Sequence, residues 1–454
     1  MPGLPPSSSI FPYVRLVGAV ALLSVLAHVA GGPILARLAA IDDAPSAPVL
    51  AAFALFALCS FASFYATQGT PFPSFVVAIV LGMSSRPLFL PIISNPTALS
   101  SVVTASAAII LFGGGLEMLG REFLRLMGKV LLLAIPGLLL TAVAFSATVQ
   151  GLAGLGGAPI GAAVVIALGA ILASTDPAAI IPALHGVHFK RRAPRDIVVA
   201  ESAINDVVGT LLTSALLKLP LAGLTIGAAY AALATEATAA SLARQAAVGA
   251  LAGVAGFALL WLLSQIKLRR AARYGADQIL FVATPLMAFA CAAAFGGSGF
   301  LAAFVAGLLF NSGDHMLEIE RFFYQVIDGI AKPAIFLLVG AMVDLHALVA
   351  YAPVGIAAGL LFMFVLRPAV VFLMLGVYGL FPNSPHGLSR GELLFIAFVR
   401  ETGAIPAVLL VTAVARLTGP ADGLVEIGMW VILLTLVIAP PLTPFVARRL
   451  GVAD

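Results

Sequence analysis

Charge is scarce in this chain. Of its 454 residues only 10% are Asp, Glu, Lys or Arg, against 61% hydrophobic, and the mean hydropathy is +1.12. A soluble domain carries roughly 25% charged residues, so water is excluded as the solvent for most of this surface. Polar stretches longer than a loop are also lacking, which leaves no room for a separate nucleotide-binding or catalytic domain. Transport would then have to run on an ion gradient. Alternating segments of about 10 residues, the mark of a membrane β-barrel, do not occur. Cysteine is scarce: Cys59 and Cys291 both lie inside apolar runs and read as packing residues, not as a disulfide or metal site. The net charge of +4 is spread through loops, which argues against nucleic acid as a partner. No intramembrane HExxH exists and Ser202 has no suitably placed base, so an enzyme is not expected. A regular Arg-rich helix is missing too, which speaks against a voltage-sensing module or cation channel, the rival of another class.

What the chain does have is a succession of hydrophobic runs of about 20 residues, each able to cross the ~30 Å hydrocarbon core as a helix. Spans are expected near 16–36, 48–66, 72–92, 98–118, 127–149, 158–184, 197–218, 245–266, 277–295, 298–312, 325–343, 351–380, 392–416 and 424–446. The first resembles a signal segment but lacks a small-residue cleavage site, so a retained helix is expected. Residues 222–243 read as a surface or re-entrant helix in a long linker. With the N-terminus cytoplasmic, sixteen lysines and arginines fall in inside segments and five outside, with Lys332, Arg367 and Arg400 left within spans. The positive-inside rule therefore puts both termini in the cytoplasm. The fold class expected is an all-α polytopic membrane protein of 13–14 transmembrane helices, in contact with membrane lipid.

Transporters are often two inverted copies of one helical unit, with the site formed by interrupted helices at matching positions. Residues 1–47 form an N-terminal helix and loop, and 48–446 the transmembrane domain. Within it, six spans over 48–218 and six over 277–446 would be the copies, joined by a linker region, 219–276. A short tail, 447–454, follows. The fifth span of the first copy contains Ser174-Thr175-Asp176-Pro177, and that of the second Arg400-Glu401-Thr402-Gly403-Ala404-Ile405-Pro406. Each sets charge beside a helix breaker deep in an apolar run, where proline frees carbonyls to line a cavity. The predicted architecture is thus inverted six-helix repeats with two crossing, unwound helices.

A charge at the bilayer centre costs ~2.5–3.5 kcal/mol on insertion scales, so each needs a partner or a task. Asp206 sits mid-span in Glu201-Ser202-Ala203-Ile204-Asn205-Asp206, and helical spacing puts Ser202, Asn205 and Asp206 on neighbouring positions of one face. Hydroxyl, amide and carboxylate oxygens are the hard ligands a small alkali cation prefers. Asp176, Thr175 and the carbonyls freed by Pro177 complete the shell, so Na+ is placed at Asp206, Asp176, Thr175 and Ser202. Burial disfavours the charged carboxylate, so Asp206 can hold a proton or a cation but not comfortably both. Competition for that site, with a rocking motion, suffices for antiport. No cofactor is called for, since Na+, Li+ or K+ and H+ are cargo. Glu201 is expected to pair with Arg367 or Arg400. Lys332 is expected to snorkel, and Glu401, Glu426 and Asp344 to sit solvated near span ends. Glu117 reads as a solvated helix end or as lining the cytoplasmic funnel, and His185 and His188 as solvated loop residues.

Together the segments resemble the monovalent cation:proton antiporter family, in its NhaP-like, electroneutral branch. The resemblance covers roughly 48–446. TDP followed by ESxxND in the next span carries it, with further similarity in Gly299–Gly307, Phe336–Gly340 and Leu366-Arg367-Pro368. It implies the sodium/proton antiporter fold, Asp206 as the ion- and proton-binding aspartate, and Asn205 as the neutral neighbour that marks electroneutral members. It implies further that Thr175 and Asp176 contribute from the unwound helix, that Ser202 lines the site, and that Glu201 pairs with Arg367. Arg400 matches a second arginine in the other unwound helix. A homodimer with separate dimerisation and core domains, a cytoplasmic-membrane location and a part in pH homeostasis follow as expectations. The chain departs from the pattern in two places: Phe112-Gly113-Gly114 stands where relatives often carry Glu, so an acidic role there would pass to Glu117, and Glu401 is an additional acid. Control through a regulatory domain after residue 449 is not expected. Exchange of Na+ or Li+ for H+ is the function expected, with K+/H+ exchange as the nearest alternative.

Overall fold

The computed structural model describes residues 11–26, 33, 37, 47–67, 74–116, 118, 120–156, 160–175, 184, 187–269, 276–310, 325–380, 387–417 and 420–454. Among these the chain is helical, with one antiparallel bridge between Phe189 and Ala453. In the first half run α1 (Phe11–Leu26), α2 (Ala47–Thr67), α3 (Ser74–Ser84), α4 (Arg86–Ile93) and α5 (Pro96–Leu116). Then come α6 (Gly120–Leu132), α7 (Leu138–Gly156), α8 (Ala162–Leu172) and α9 (Ala193–Leu216). A short α10 (Ile226–Ala231) leads into the long α11 (Glu236–Arg269). The second half holds α12 (Ala276–Ala294), α13 (Gly299–Phe310), α14 (Lys332–Met342), α15 (Leu345–Ala350) and α16 (Ala352–Leu361). It ends with α17 (Arg367–Gly379), α18 (Arg390–Phe398), α19 (Ala404–Arg416) and α20 (Leu424–Arg449).

Among the described residues seven helical stretches are long and apolar enough to cross a membrane, α3 and α4 together pass the same test as a pair bent by 89°, and α8, α12, α13 and α19 supply shorter apolar segments. This is a multi-pass membrane protein. Several expected spans are interrupted, and proline explains most of the interruptions. Pro87 follows the bend at Ser85 and removes the amide that would continue the ladder. Three π-helical turns, Leu133–Gly137, Ile327–Ala331 and Phe362–Leu366, contain or closely precede Pro136, Pro333 and Pro368. A wider turn takes the ring out of collision with the carbonyl four residues back. Residues 222–243, expected as one surface or re-entrant helix, divide into α10, a 3-10 turn over Ala232–Ala234 and the start of α11.

Partners are exchanged between the halves. Helix α3, from the second span of the first half, packs on α14, from the third span of the second, while α5 packs on α13 in the converse pairing. Both contacts close through reciprocal glycines. A Cβ on Gly82 would collide with the Leu337 carbonyl, and one on Gly340 with the Ile79 carbonyl. Likewise Gly115 abuts the Phe304 carbonyl and Gly307 that of Phe112. In each helix the glycine follows the contacted carbonyl by three residues, so each pair crosses about a local two-fold. Small residues permit such backbone approach where lipid offers no hydrophobic drive to associate. The π-turns before α7 and before α17 also occupy the fourth span of each half, where Phe145 meets Phe362 edge-on at 4.8 Å.

Gly340→Ala should therefore lower the melting temperature in detergent, at an overpacking cost of about 1–3 kcal/mol. Gly128→Ala, where a methyl meets nothing within 4 Å, should leave it unchanged. Equal melting curves for the two variants would contradict the close crossing.

Candidate functional site

Helix α9 is 24 residues long and opens with Pro194 in its first turn, where no amide partner is needed. Its polar residues fall on its enclosed side: Glu201, Ser202, Asn205 and Asp206 are each 1% exposed. Helices α5, α6, α8, α18 and α19 surround it. Polar side chains in a membrane helix face the bundle interior because lipid cannot satisfy them.

Beside α9 two helices are interrupted. Helix α8 stops at Leu172, with Ser174 and Thr175 beyond it outside any helix. On the other half, α18 stops at Phe398, residues 399–403 lie outside any helix, and α19 begins at Ala404. The two breaks meet through Arg400. One of its guanidinium nitrogens donates to the Leu172 and Ala173 carbonyls at 3.1 and 2.6 Å. Those are the carbonyls a helix end leaves without amides, at the negative end of the α8 dipole. The guanidinium also lies 4.2 Å from the centre of the Phe362 ring, a cation–π contact in a desolvated setting.

Arg367 donates from Nη1 to Glu201 Oε1 at 2.5 Å and from Nη2 to Oε2 at 2.7 Å, a bidentate pair buried at both ends. Its Nη2 reaches the Ile396 carbonyl at 3.3 Å, tying the pair to α18. Asn205 Nδ2 donates to Glu201 Oε1 and to Thr175 Oγ1, both at 3.2 Å, and Thr175 donates to Ser202 Oγ at 2.9 Å. Asn205 is thus a donor to two acceptors, a role an ionised aspartate could not fill. The structure brings Thr175, Glu201, Ser202, Asn205 and Arg367 into one buried network, with Asp206 on the same helix face and Arg400 at the adjoining break. Glu201 lies within electrostatic reach of both arginines.

Asp176, Glu117 and His185 lie outside the described residues. Four sequence expectations change. Lys332 does not snorkel: it is buried at the start of α14 and pairs with Asp328 one turn away. Glu401 is not solvated but 0% exposed, because the break that carries it is covered on all sides, and Glu426 is largely buried in the first turn of α20. Cys59 packs in the interior, whereas Cys291 lies on the outer surface. Asp344 is exposed as expected, accepting from the amides of His346 and Ala347. His188 is exposed, and its carbonyl accepts from the amide of Asp454. Sequence reasoning missed the target of Arg400, although an arginine beside a helix breaker was the available signal.

Helical breaks meeting inside an apolar bundle, beside a buried carboxylate face, define a membrane protein with an enclosed ionisable site. The profile described as "Sodium/hydrogen exchanger, transmembrane" matches residues 55–449, and the chain belongs to that family. It is 28% identical over 364 residues to the K(+)/H(+) antiporter NhaP of Alkalimonas amylolytica, covering 74% of this chain and 55% of that protein. It is also 28% identical over 269 residues to Na(+)/H(+) antiporter 1 of Methanocaldococcus jannaschii, covering 56% and 57%. The chain thus spans little more than half the length of these curated relatives. The solved sodium proton antiporter MjNhaP1 from M. jannaschii at pH 8 has the same fold, with a TM-score of 0.65 at 22% identity, over 86% of this chain and 99% of that one.

Neutralising Glu201 or Arg367 alone should cost about 3–5 kcal/mol, since either change strands a buried charge. Glu201→Gln with Arg367→Met should recover part of that loss in detergent melting. A double variant as unstable as the two single losses added together would contradict the pair.

Proposed function

We propose that this chain is a secondary antiporter that exchanges Na+ or Li+ for H+, one for one, through competition at Asp206. The observation that carries the reading is the buried network around α9. Its first acid, Glu201, is neutralised by Arg367, while Asp206 shares a face with the hydroxyl of Ser202, itself bonded to Thr175. Oxygen ligands of that kind suit a small alkali cation, and the low-dielectric setting makes an ionised Asp206 costly unless a cation or a proton joins it. Asp176 contributes to the same site and keeps one protonation state through the cycle.

With a single alternating carboxylate, no net charge crosses the membrane per cycle. Asn205 supports this stoichiometry, because its carboxamide does not titrate and, donating to Thr175 and Glu201, fills the position next to Asp206 without a second carboxylate. The core containing the two breaks rocks against the helices joined by reciprocal glycines, with repeats 48–218 and 277–446 as the inverted units. The assembly is a homodimer in the cytoplasmic membrane, with both termini inside. Potassium in place of sodium is the second reading, favoured by the K(+)/H(+) antiporter name of the Alkalimonas relative.

Asp206→Asn keeps size and hydrogen bonding but removes the titratable group. It should fold, retain its melting temperature and lose cation-dependent proton flux in proteoliposomes. Flux like that of the unsubstituted protein would overturn the assignment. For stoichiometry, membrane potentials set with potassium and valinomycin should leave the final sodium and proton gradients unchanged. Gradients that move with the potential would show a second proton in the cycle.

A further inference from the structure

A cavity of about 700 Å³ lies between α7, α9 and the first turns of α11. Leu139 and Val143 line it from α7, Leu212 from α9, and Leu242, Ala243 and Ala246 from α11. Its size falls within the ~300–1,000 Å³ of ligand-binding pockets. Among the described residues that line it Tyr230 alone has a polar side chain, and its hydroxyl lies 3.4 Å from that of Ser146. The lining side chains thus leave nothing free to hold water, and apolar cavities of this kind stay dry. The cavity is at membrane depth, because each wall belongs to a helix long and apolar enough to span. Leu139 and Val143 stand near the middle of the span Arg125–Leu155, and Ala246 is ten residues inside the start of α11, about 15 Å along its axis.

The cavity runs from the outside of the bundle inward. At its rim Leu139 is 37% exposed and Ala243 is exposed, whereas Leu212 at its floor is only 5% exposed. In a membrane the solvent at that rim is hydrocarbon. Its two sides are anchored to different neighbours. Tyr230 of α10 is wedged against α8, where a methyl on Gly169 would stand 3.0 Å from its hydroxyl, and Ala229 beside it packs with Leu138 and Leu212. Helix α11 is instead seated on α13: a methyl on Gly249 or Gly253 would stand 2.6 Å from the Ser298 or Ala302 carbonyl. The 3-10 turn Ala232–Ala234 joins the two sides, and its Leu233 also lines the cavity. Any movement of α7 and α9 against α11 would therefore change the volume between them.

We propose that this cavity binds one acyl chain of a membrane phospholipid, which enters between Leu139 and Ala243 and acts as a spacer between α11 and the helices that carry the exchange site. Binding stands on the cavity itself; the effect on exchange rests on the reading of a core that rocks around Asp206. A cavity left empty forfeits the dispersion contacts of its lining. A polymethylene chain restores them, carries no polar group that the walls would leave unsatisfied, and is already present at the rim. Because it is not part of either wall, it can slide out as the walls approach and return as they part.

The test places the full chain in phospholipid vesicles that include a phosphatidylethanolamine with a diazirine on one acyl chain, and maps the photolabelled residues by mass spectrometry. Lipid around the bundle should label Leu251 and Leu373, which are 70% and 68% exposed. A chain inside the cavity should label Leu212 as well. Two variants fill the cavity from opposite walls, Ala243→Trp with Ala246→Trp and, separately, Val143→Trp, with melting temperature followed to show folding. Both should lose the Leu212 label and keep those at Leu251 and Leu373. Both should also lower kcat for cation-dependent proton flux at an unchanged cation KM, since bulk fixed to a wall cannot leave as the core moves. An unlabelled Leu212 in the unsubstituted protein, with Leu251 and Leu373 labelled, would overturn the site, as would a Leu212 label that persists in both filled variants. An unchanged kcat in both would overturn the spacer. Asp206→Asn separates the two readings: the Leu212 label should survive in it whether or not exchange does, so an active Asp206→Asn removes the exchange site and leaves the acyl-chain site supported.

Discussion

Arg400 is the point on which the arrangement turns. A helix interrupted inside a membrane leaves carbonyls that lipid cannot satisfy. Here the carbonyls at the end of α8 are met by a guanidinium from the break in the other half of the chain. One side chain therefore satisfies the end of α8 and fixes the two interruptions against each other. The Phe362 ring over its face supplies further stabilisation without adding a counter-charge. Because the contact joins residues 228 and 227 apart in sequence, the site exists only when both halves are packed together. The neighbouring Glu201–Arg367 pair adds a second tie, from α9 to α17 and, through the Ile396 carbonyl, to α18.

These ties sit in a bundle that is also held by close backbone crossings. The reciprocal glycines between α3 and α14, and between α5 and α13, let those backbones approach closely. Charge is concentrated instead around α8, α9, α18 and the π-turn before Arg367. The three π-turns among the described residues contain or closely precede prolines. The additional acid Glu401 lies in the break between α18 and α19, and its full burial sets a further carboxyl group beside Arg400.

Much of this was legible in sequence because the membrane makes polar residues conspicuous. Glu201, Ser202, Asn205 and Asp206 stand out within an apolar span, helical spacing puts them on neighbouring positions, and burial forces a partner on Glu201. The structure brings Arg367 to it with Thr175 alongside. What sequence could not show depends on non-local packing. Glu401 and Lys332 were placed by distance along their spans, but solvation is decided by what crosses over them, and neither position is open to water. The break near Ser85 and the three π-turns shift where each span begins, and periodicity cannot register them. Asp176 and Glu117, two residues singled out in sequence, lie outside the described residues. The glycine crossings were invisible for another reason: a glycine in an apolar run looks alike whether it faces lipid or a carbonyl.

The central claim is that cation and proton compete for one buried carboxylate, and the most direct measurement is the pH dependence of the apparent cation affinity. In proteoliposomes with equal pH on both faces, the cation KM should rise as pH falls, approaching a tenfold increase per pH unit at the acid end. Maximal rate at saturating cation should then vary little. A KM that stays constant across the same range, with only the maximal rate changing, would show that proton and cation occupy separate sites and would contradict the account.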